Sequence, residues 1–599
     1  MKRDPQKLVD TKYDLLVIGA GINGACIARD AALRGMKVAV VDQGDFGAAT
    51  SFNSLRTVHG GLRYVQHLDF KRMRESIRER STWLRIAPHL VHPLPCMAAT
   101  FGRGLRSRTA FRGAFFINDL VGIDRNRGLP SERSLPGSRV VSRAEALKHY
   151  HGRDRDRITG GALWYDAQMY HSERLVLAVL FDAAEAGADI FNYVPVSALC
   201  VQRGKVVGAE AFDALGGGTL AIRARCVVNA SGPAMARLVA SAVGRSMDSP
   251  LVPLSKAMNI LTKRIAGEVA IGVPSRHEDP NAKVKHGERL WFIAPWRDLS
   301  LIGTTHEAFD DKPENFRVTE DEVSGFLDEI NEACPHANLT LDDVRFVFAG
   351  LLPSAGRGGA HGEVRLQQHH KIIDHAREDA IEGLISLVGV KYTTSRLAAQ
   401  QVVDRVCGKL GRSTGRCLTD RRPIFGGVSE SIDQFSAGEL KASHELGLPP
   451  EQLTKLIRLY GTRYREVLAH GDNDECRENH NLLAPEVRFA VRQQMAATLG
   501  DVVFRRTDLA SQGHPGAKAL WAAAEVMAAE CGWDDERRSA ELAEVEAVFE
   551  AWRSDEGYRP TGLAPPADDR AAHDGTDSGG TQGSLSDGRV LSAQKARGS

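Results

Sequence analysis

The chain has 599 residues, 43% of them apolar and 26% charged, with a formal net charge of +1. Such a length exceeds one compact domain and implies three or four units, while the composition is that of a soluble globular protein with a large core. The near-neutral balance removes the electrostatic case for a nucleic-acid partner, and no apolar run is long enough to span a bilayer. Met1 to Asp10 is polar and holds no signal-peptide core. The nine cysteines are scattered without a CxxC pair, which reads as reduced thiols in a cytoplasmic setting.

The first elements are a strand, Asp14 to Ile18, the run Gly19-Ala20-Gly21-Ile22-Asn23-Gly24, and a helix with Ala28 and Gly35 on its sheet side. A second strand, Val38 to Val41, ends at Asp42. This is a βαβ dinucleotide fingerprint: Gly19 permits the tight turn, Gly21 lets backbone approach a pyrophosphate, and Gly24 brings helix against strand. The helix start then turns free N–H groups and a positive dipole end toward two phosphates. Asp42 sits where a carboxylate accepts from an adenosine ribose hydroxyl. FAD and NAD fit this unit equally.

A loop, Gly44 to Arg63, leads to a charged helix from about Asp69 to Ala87, with Met73, Ile77 and Leu84 as its apolar stripe and arginines and glutamates over the rest. Thr100 to Arg127 interleaves Arg103, Arg106, Arg108 and Arg112 with Phe101, Leu105, Phe111, Phe115, Phe116 and Ile117. It reads as an irregular segment that buries its phenylalanines and exposes its arginines. The alternative is an interfacial segment, 101–117, resting its aromatic side on a bilayer with arginines toward anionic headgroups. Glu173 to Ala186 reads as a helix, Val194–Leu199 and Val206–Phe212 as strands, and Cys226 to Pro233 as an apolar strand running into a small-residue turn. From Leu251 to Val347 the pattern is strand-rich. Leu384 to Val388 is a buried strand, and Gly389-Val390-Lys391-Tyr392-Thr393-Thr394 opens another helix, again an anion or flavin-ring site. Helices dominate from about Ser429, where Val487, Val491, Met495, Leu499 and Val502 recur as one amphipathic face. The Gly-, Ser-, Asp- and Pro-rich stretch beyond Ser554 reads as disordered. His361, His369, His370 and His375 lack metal-ligand spacing and read as a solvated loop.

Together these features resemble the FAD-dependent glycerol-3-phosphate dehydrogenase family, within the D-amino-acid-oxidase-like flavoprotein fold. The resemblance rests on the fingerprint, Ala49-Thr50-Ser51 through Val58-His59-Gly60-Gly61-Leu62-Arg63-Tyr64, and Val228-Asn229-Ala230-Ser231-Gly232-Pro233. Leu301-Ile302-Gly303-Thr304-Thr305, the GxKxTT run at 389–394 and Leu499 to Thr507 complete it. It implies an α/β architecture: a Rossmann-like FAD-binding domain from 11–95, 160–240 and 345–412, with an inserted antiparallel-sheet substrate domain from 96–159 and 241–344. A C-terminal α-helical domain, 429–552, and a tail, 554–599, complete the division. It also implies hydride transfer from C2 of sn-glycerol 3-phosphate to flavin N5, giving dihydroxyacetone phosphate, with electrons passed to a membrane quinone. Catalysis would fall to His59, Arg63 and Lys391, and substrate binding to Arg63, Tyr64, Lys391 and Thr305. FAD would lie against Gly19, Gly21, Asn23, Gly24, Asp42, Thr50, Ser51, His59, Gly60, Gly61, Val196, Ala230, Gly232, Gly389, Lys391 and Thr393. Peripheral contact with the inner face of a membrane and a homodimer fit the same picture.

Each site residue also has a plainer reading. His59 would cap its loop, Arg63 pair with a surface carboxylate, and Tyr64 fill core. Four positions depart from the family pattern: Leu352 replaces an arginine in the Gly350–Ser354 turn, a second arginine position falls near Gln368, His369 and His370, Asn259 replaces a histidine, and His306 replaces an acid. Bidentate arginine is the usual answer to phosphate. Arg357 or Arg365 stand near enough in sequence to substitute. The departures also fit a related FAD-dependent oxidoreductase acting on another small hydroxy acid, polyol or amine, and oxygen remains an alternative acceptor to quinone. A non-catalytic flavoprotein that works through its helical domain is the reading from a different class. The proton acceptor is open among His59, His306 and Lys391.

Overall fold

The computed structural model describes residues 3–243, 251–278, 288–357, 364–412, 415–441, 443–444, 446–471, 482–554 and 557, with backbone alone at 276–278 and 288. The proposed disordered tail, apart from Ser554 and Gly557, lies outside these residues, as does His361.

Strand Lys12–Ile18 lies at the centre of the first sheet. It pairs in parallel with Thr219–Asn229 on one side and Val38–Val41 on the other. Leu384–Val388 and Asp189–Phe191 extend the sheet in parallel beyond them, and Lys371–Asp374 closes one edge antiparallel. The central strand is apolar on both faces because both are covered. Leu15 and Val17 pack on the helices Ile22–Leu33, Ser172–Glu185 and Ser395–Leu410. Leu16 and Ile18 pack on the antiparallel pair Val196–Gln202 and Lys205–Phe212. This is the Rossmann-like dinucleotide architecture that the fingerprint predicts, with an antiparallel β pair covering the second face.

A second, mostly antiparallel sheet has Val344–Arg357, Leu254–Lys263, Leu299–Phe309 and Glu288–Trp296 as neighbours, and continues through Ala270–Glu278, Val91–Phe101 and Ile158–Met169. Its strands also alternate between two apolar layers. Ile260, Ile302 and Val347 face helix Glu320–Ala333. Leu261, Leu301, Phe346 and Phe348 face the C-terminal helices through Val487, Val502, Phe504 and Leu520. The C-terminal helices therefore share a core with this sheet.

Three sequence expectations need correction. The stripe from Val487 to Val502 is not one helix: Leu483–Gln494 stops at Met495, whose φ is +54°. A new turn starts at Leu499, held by a reciprocal cap between Thr498 and Asp501, and continues as a π turn, Val502–Arg506. Helix Phe70–Ile86 does not expose its whole charged side, because Glu79 pairs with Arg396 and Arg80 with Asp166, all buried. The segment 100–127 is not irregular and buries only part of its aromatic side. Ser107 caps a helix, Arg108–Val121, in which Phe115 is buried while Phe116 and Leu120 are 72% and 62% exposed.

Candidate active site

The dinucleotide turn is built from close approaches that side chains would block. Gly19 has φ +100°, and a Cβ there would stand 2.6 Å from the Ala230 carbonyl oxygen, so the ends of two parallel strands meet without a side chain between them. At Gly24 a Cβ would stand 1.8 Å from the Gly19 carbonyl oxygen. Gly21 opens helix Ile22–Leu33 with no side-chain cap, which leaves first-turn N–H groups without helical partners. Ser51 Oγ accepts from Ile22 N–H at 3.0 Å and so ties the Gly44–Arg63 loop to this turn. Asp42 accepts from Ala20 N–H at 2.6 Å and Gly44 N–H at 3.0 Å, and burial pushes its carboxyl up to about 6. Gly232 follows Ala230 with φ +59°. Replacing Gly24 by alanine is expected to yield protein without FAD. The ratio of flavin to protein absorbance after purification checks this, and retention at wild-type stoichiometry would overturn it.

The Gly389 loop meets the same turn from the other side. A Cβ at Gly389 would lie 2.0 Å from Asn23 Nδ2, and Asn23 Oδ1 is buried without a hydrogen-bond partner. Open N–H groups and a glycine cradle at one helix start fit a dinucleotide pyrophosphate.

Beyond Gly389 the chain places Lys391 at the cap of the turn Tyr392–Thr394. Lys391 Nζ donates to Ser76 Oγ at 2.9 Å and Tyr64 OH at 3.2 Å. Burial, then the charge of Arg72, lowers its ammonium to about 7. His59 N–H donates to Thr393 Oγ1 at 3.3 Å, and its ring stands 5.8 Å from the Tyr64 ring. Burial first, then Lys391 and Arg72, hold the His59 imidazole well below its ordinary range. Gly60 N–H donates to Asp166, and Gly61 adopts φ +79° with no room for a Cβ beside the Tyr64 ring. Thus His59 and Tyr64 meet Lys391 and Thr393, about 330 positions later in the chain, in one cluster.

Other expected site residues have different surroundings. Arg63 is exposed on the turn Leu62–Val65. Thr50 Oγ1 donates to the Leu351 carbonyl at 3.0 Å, and Thr305 Oγ1 accepts from Met258 N–H at 3.2 Å inside the antiparallel sheet. Val196 is buried beside Ile18 and Val41. Of the histidines, His369 meets Asp69 and His370 meets Gln401, while His375 is fully buried between Asp379 and Ser386, not solvated. Among the described residues no histidine, cysteine and carboxylate group is arranged for a metal.

Sequence reasoning missed Arg72 and Ser76. The signal was present: Arg72, Ser76, Glu79 and Arg80 recur along one helix face, a polar stripe that continues into Trp83 and so points inward.

A family model described as FAD dependent oxidoreductase matches residues 14–405, and one described as the C-terminal domain of alpha-glycerophosphate oxidase matches 417–538. A Synechocystis glycerol-3-phosphate dehydrogenase is 31% identical over 558 residues, covering 92% of this chain and 98% of the relative. A Mycobacterium leprae protein of the same name is 29% identical, covering 90% and 88%. The structure of the Bacillus halodurans glycerol-3-phosphate dehydrogenase complexed with FAD superposes with a TM-score of 0.72 at 24% identity, over 93% of this chain and 97% of that one. The family, the fold class and the FAD cofactor expected from the sequence are thereby borne out. With a cofactor turn that fits a dinucleotide and relatives of this name along nearly its whole described length, the chain belongs to the FAD-dependent glycerol-3-phosphate dehydrogenase family.

Proposed function

We propose that the protein oxidises sn-glycerol 3-phosphate at C2 to dihydroxyacetone phosphate and passes the electrons to a membrane quinone. The observation that carries this reading is the pocket around Tyr64, where Lys391 and Arg72 bring positive charge beside the neutral His59. FAD, when bound, would supply a two-electron acceptor for the C2 hydride, and the hydroxyl proton would pass to the protein. His59, kept neutral by burial and surrounding cations, has a ring nitrogen lone pair available for that proton. Lys391, its ammonium fixed by Ser76 and Tyr64, would place positive charge against the anionic substrate. Arg63, exposed on its turn, adds positive charge near His59 and Tyr64. The helix start at Gly21, Asn23 and Gly24 would hold the phosphates of FAD, and Asp42 would accept from its ribose hydroxyl.

An unusual surface supports quinone as the electron acceptor. Leu105, Phe116, Leu120 and Ile123 are 49%, 72%, 62% and 81% exposed, and Arg103, Arg112 and Arg127 are exposed near them in sequence. No helix among the described residues is long and apolar enough to cross a membrane. Exposed aromatic and aliphatic side chains interleaved with arginines suit the interface of an anionic bilayer, where a quinone is reached without a span. Replacing Phe116 and Leu120 together by aspartate is expected to abolish flotation with anionic vesicles while leaving FAD content unchanged. Equal flotation of variant and wild type would exclude this face.

Leu352 and Asn259 favour a second reading, an unphosphorylated hydroxy acid or polyol as substrate. Anaerobic titration with glycerol 3-phosphate, following the oxidised flavin band, separates the two. Bleaching at low substrate supports the first, and a band that bleaches only with unphosphorylated alcohols supports the second.

A further inference from the structure

The arginine that Leu352 displaces has a replacement on another element. The two arginines nearest Leu352 in the chain are poor candidates. Arg357 is exposed and already paired with Asp310, and Arg365 is exposed on the edge strand Val364–Leu366. Where the second family arginine would fall, His369 pairs with Asp69 and His370 with Gln401.

Arg72 differs from all of these. It lies in the first turn of helix Phe70–Ile86, with its guanidinium carbon 4.1 Å from the Tyr64 ring centroid. Lys391 Nζ lies 4.7 Å from the same centroid. Arg72 Nε is buried and makes no hydrogen bond. Among the described residues no carboxylate forms an ion pair with either cation. Asp69 accepts from the Arg72 backbone N–H and turns its other oxygen to His369, while Glu75 is half-buried and acts only at longer range.

Two half-buried cations beside one aromatic ring repel each other and have each lost part of their hydration, a configuration relieved by an anion with several acceptor oxygens. A phosphate monoester supplies two negative charges and three such oxygens. The guanidinium also stacks on a tyrosine, which fixes its plane and leaves its N–H edge for the ligand.

We propose that Arg72 and Lys391 together bind the phosphate group of the substrate, Arg72 taking the role vacated at Leu352. Arg72 thereby sets the preference for a phosphorylated over an unphosphorylated polyol. This rests on the reaction proposed above.

The test uses the FAD-loaded enzyme and its Arg72→Leu, Arg72→Gln and Arg72→Lys variants. It measures flavin reduction by glycerol 3-phosphate and by glycerol, and perturbation of the oxidised flavin spectrum by inorganic phosphate. Arg72→Leu is expected to raise KM for glycerol 3-phosphate about 100-fold, as for loss of a charged hydrogen-bonding partner, with a much smaller change in kcat. Its inhibition constant for phosphate should rise by a similar factor, and Arg72→Lys should recover part of both. If Arg72→Leu fails to retain FAD, Arg72→Gln, which keeps a long polar side chain without charge, tests the same loss of charge. Unchanged KM and phosphate inhibition in a variant still bleached by glycerol 3-phosphate would overturn the assignment. A wild-type enzyme that glycerol 3-phosphate does not bleach would instead sink the proposed reaction. In that case, phosphate binding lost in Arg72→Leu would still support the anion site, and equal binding would remove it.

Discussion

Replacing Lys391 by methionine is expected to slow flavin reduction by glycerol 3-phosphate by roughly 10³-fold while FAD remains bound. Methionine keeps the length of the side chain but removes the charge and the hydrogen bonds to Ser76 and Tyr64. Stopped-flow absorbance under anaerobic conditions gives the rate, and the visible spectrum reports FAD content. A variant reduced at the wild-type rate would refute any role for the lysine. The same residue makes a pH prediction. Burial and Arg72 lower the ammonium to about 7, so above pH 7 in the substrate-free protein the neutral amine predominates. A bound dianion favours the charged form and raises that value, so binding at pH 8 should take up a proton, and binding at pH 6 should take up much less. Calorimetry in two buffers of different ionisation enthalpy measures the uptake. Its persistence in Lys391→Met would assign the proton to another group, with His59 first in line.

Asp45→Ala should destabilise the protein by about 3–5 kcal/mol, the usual result of leaving buried charges without their partner. Asp45 is buried and accepts from Arg506 Nη1 and Nη2 at 2.7 and 2.6 Å, and also from Arg505 Nε and Asn192 Nδ2. Both arginines lie on the π turn Val502–Arg506, so this carboxylate ties the loop after the second strand of the cofactor sheet to the C-terminal helices. The two guanidinium groups hold the Asp45 carboxyl well below the usual range for aspartate. A depressed folded-state value contributes stability above the unfolded value near 4, and that contribution is lost as pH falls below it. The gap between wild type and Asp45→Ala in urea unfolding should therefore be full at pH 7 and narrow below about pH 4. A gap independent of pH would show that packing, not charge, holds this junction.

The cofactor half of the site was legible in the chain because its requirements are local. A tight turn, a close backbone approach and a helix start occupy Gly19 to Gly24 in six consecutive positions, and the later GxKxTT run opens another helix in the same way. Periodicity likewise marked the strands of both sheets. The substrate half was less legible. Arg72 and Ser76 appeared as members of a charged helix surface, because helical spacing shows which residues share a face and not what that face meets. Similarly, the arginine and phenylalanine spacing of 101–117 allowed either a buried or an exposed aromatic side.

Residue order was enough for the Rossmann-like class and the dinucleotide turn, since short-range backbone geometry dictates the residue types there, while the FAD-dependent family and the candidates His59, Tyr64 and Lys391 came from the resemblance of the longer motifs. Folding was needed to bring Lys391 to Tyr64 and Ser76, to stand Arg72 beside them with no ion-pair partner among the described residues, and to turn Phe116 and Leu120 outward. It also set the C-terminal helices into a common core with the antiparallel sheet. One cause underlies all four. The balance of charge and burial at a site sums contributions from segments hundreds of residues apart, and no local pattern carries that sum.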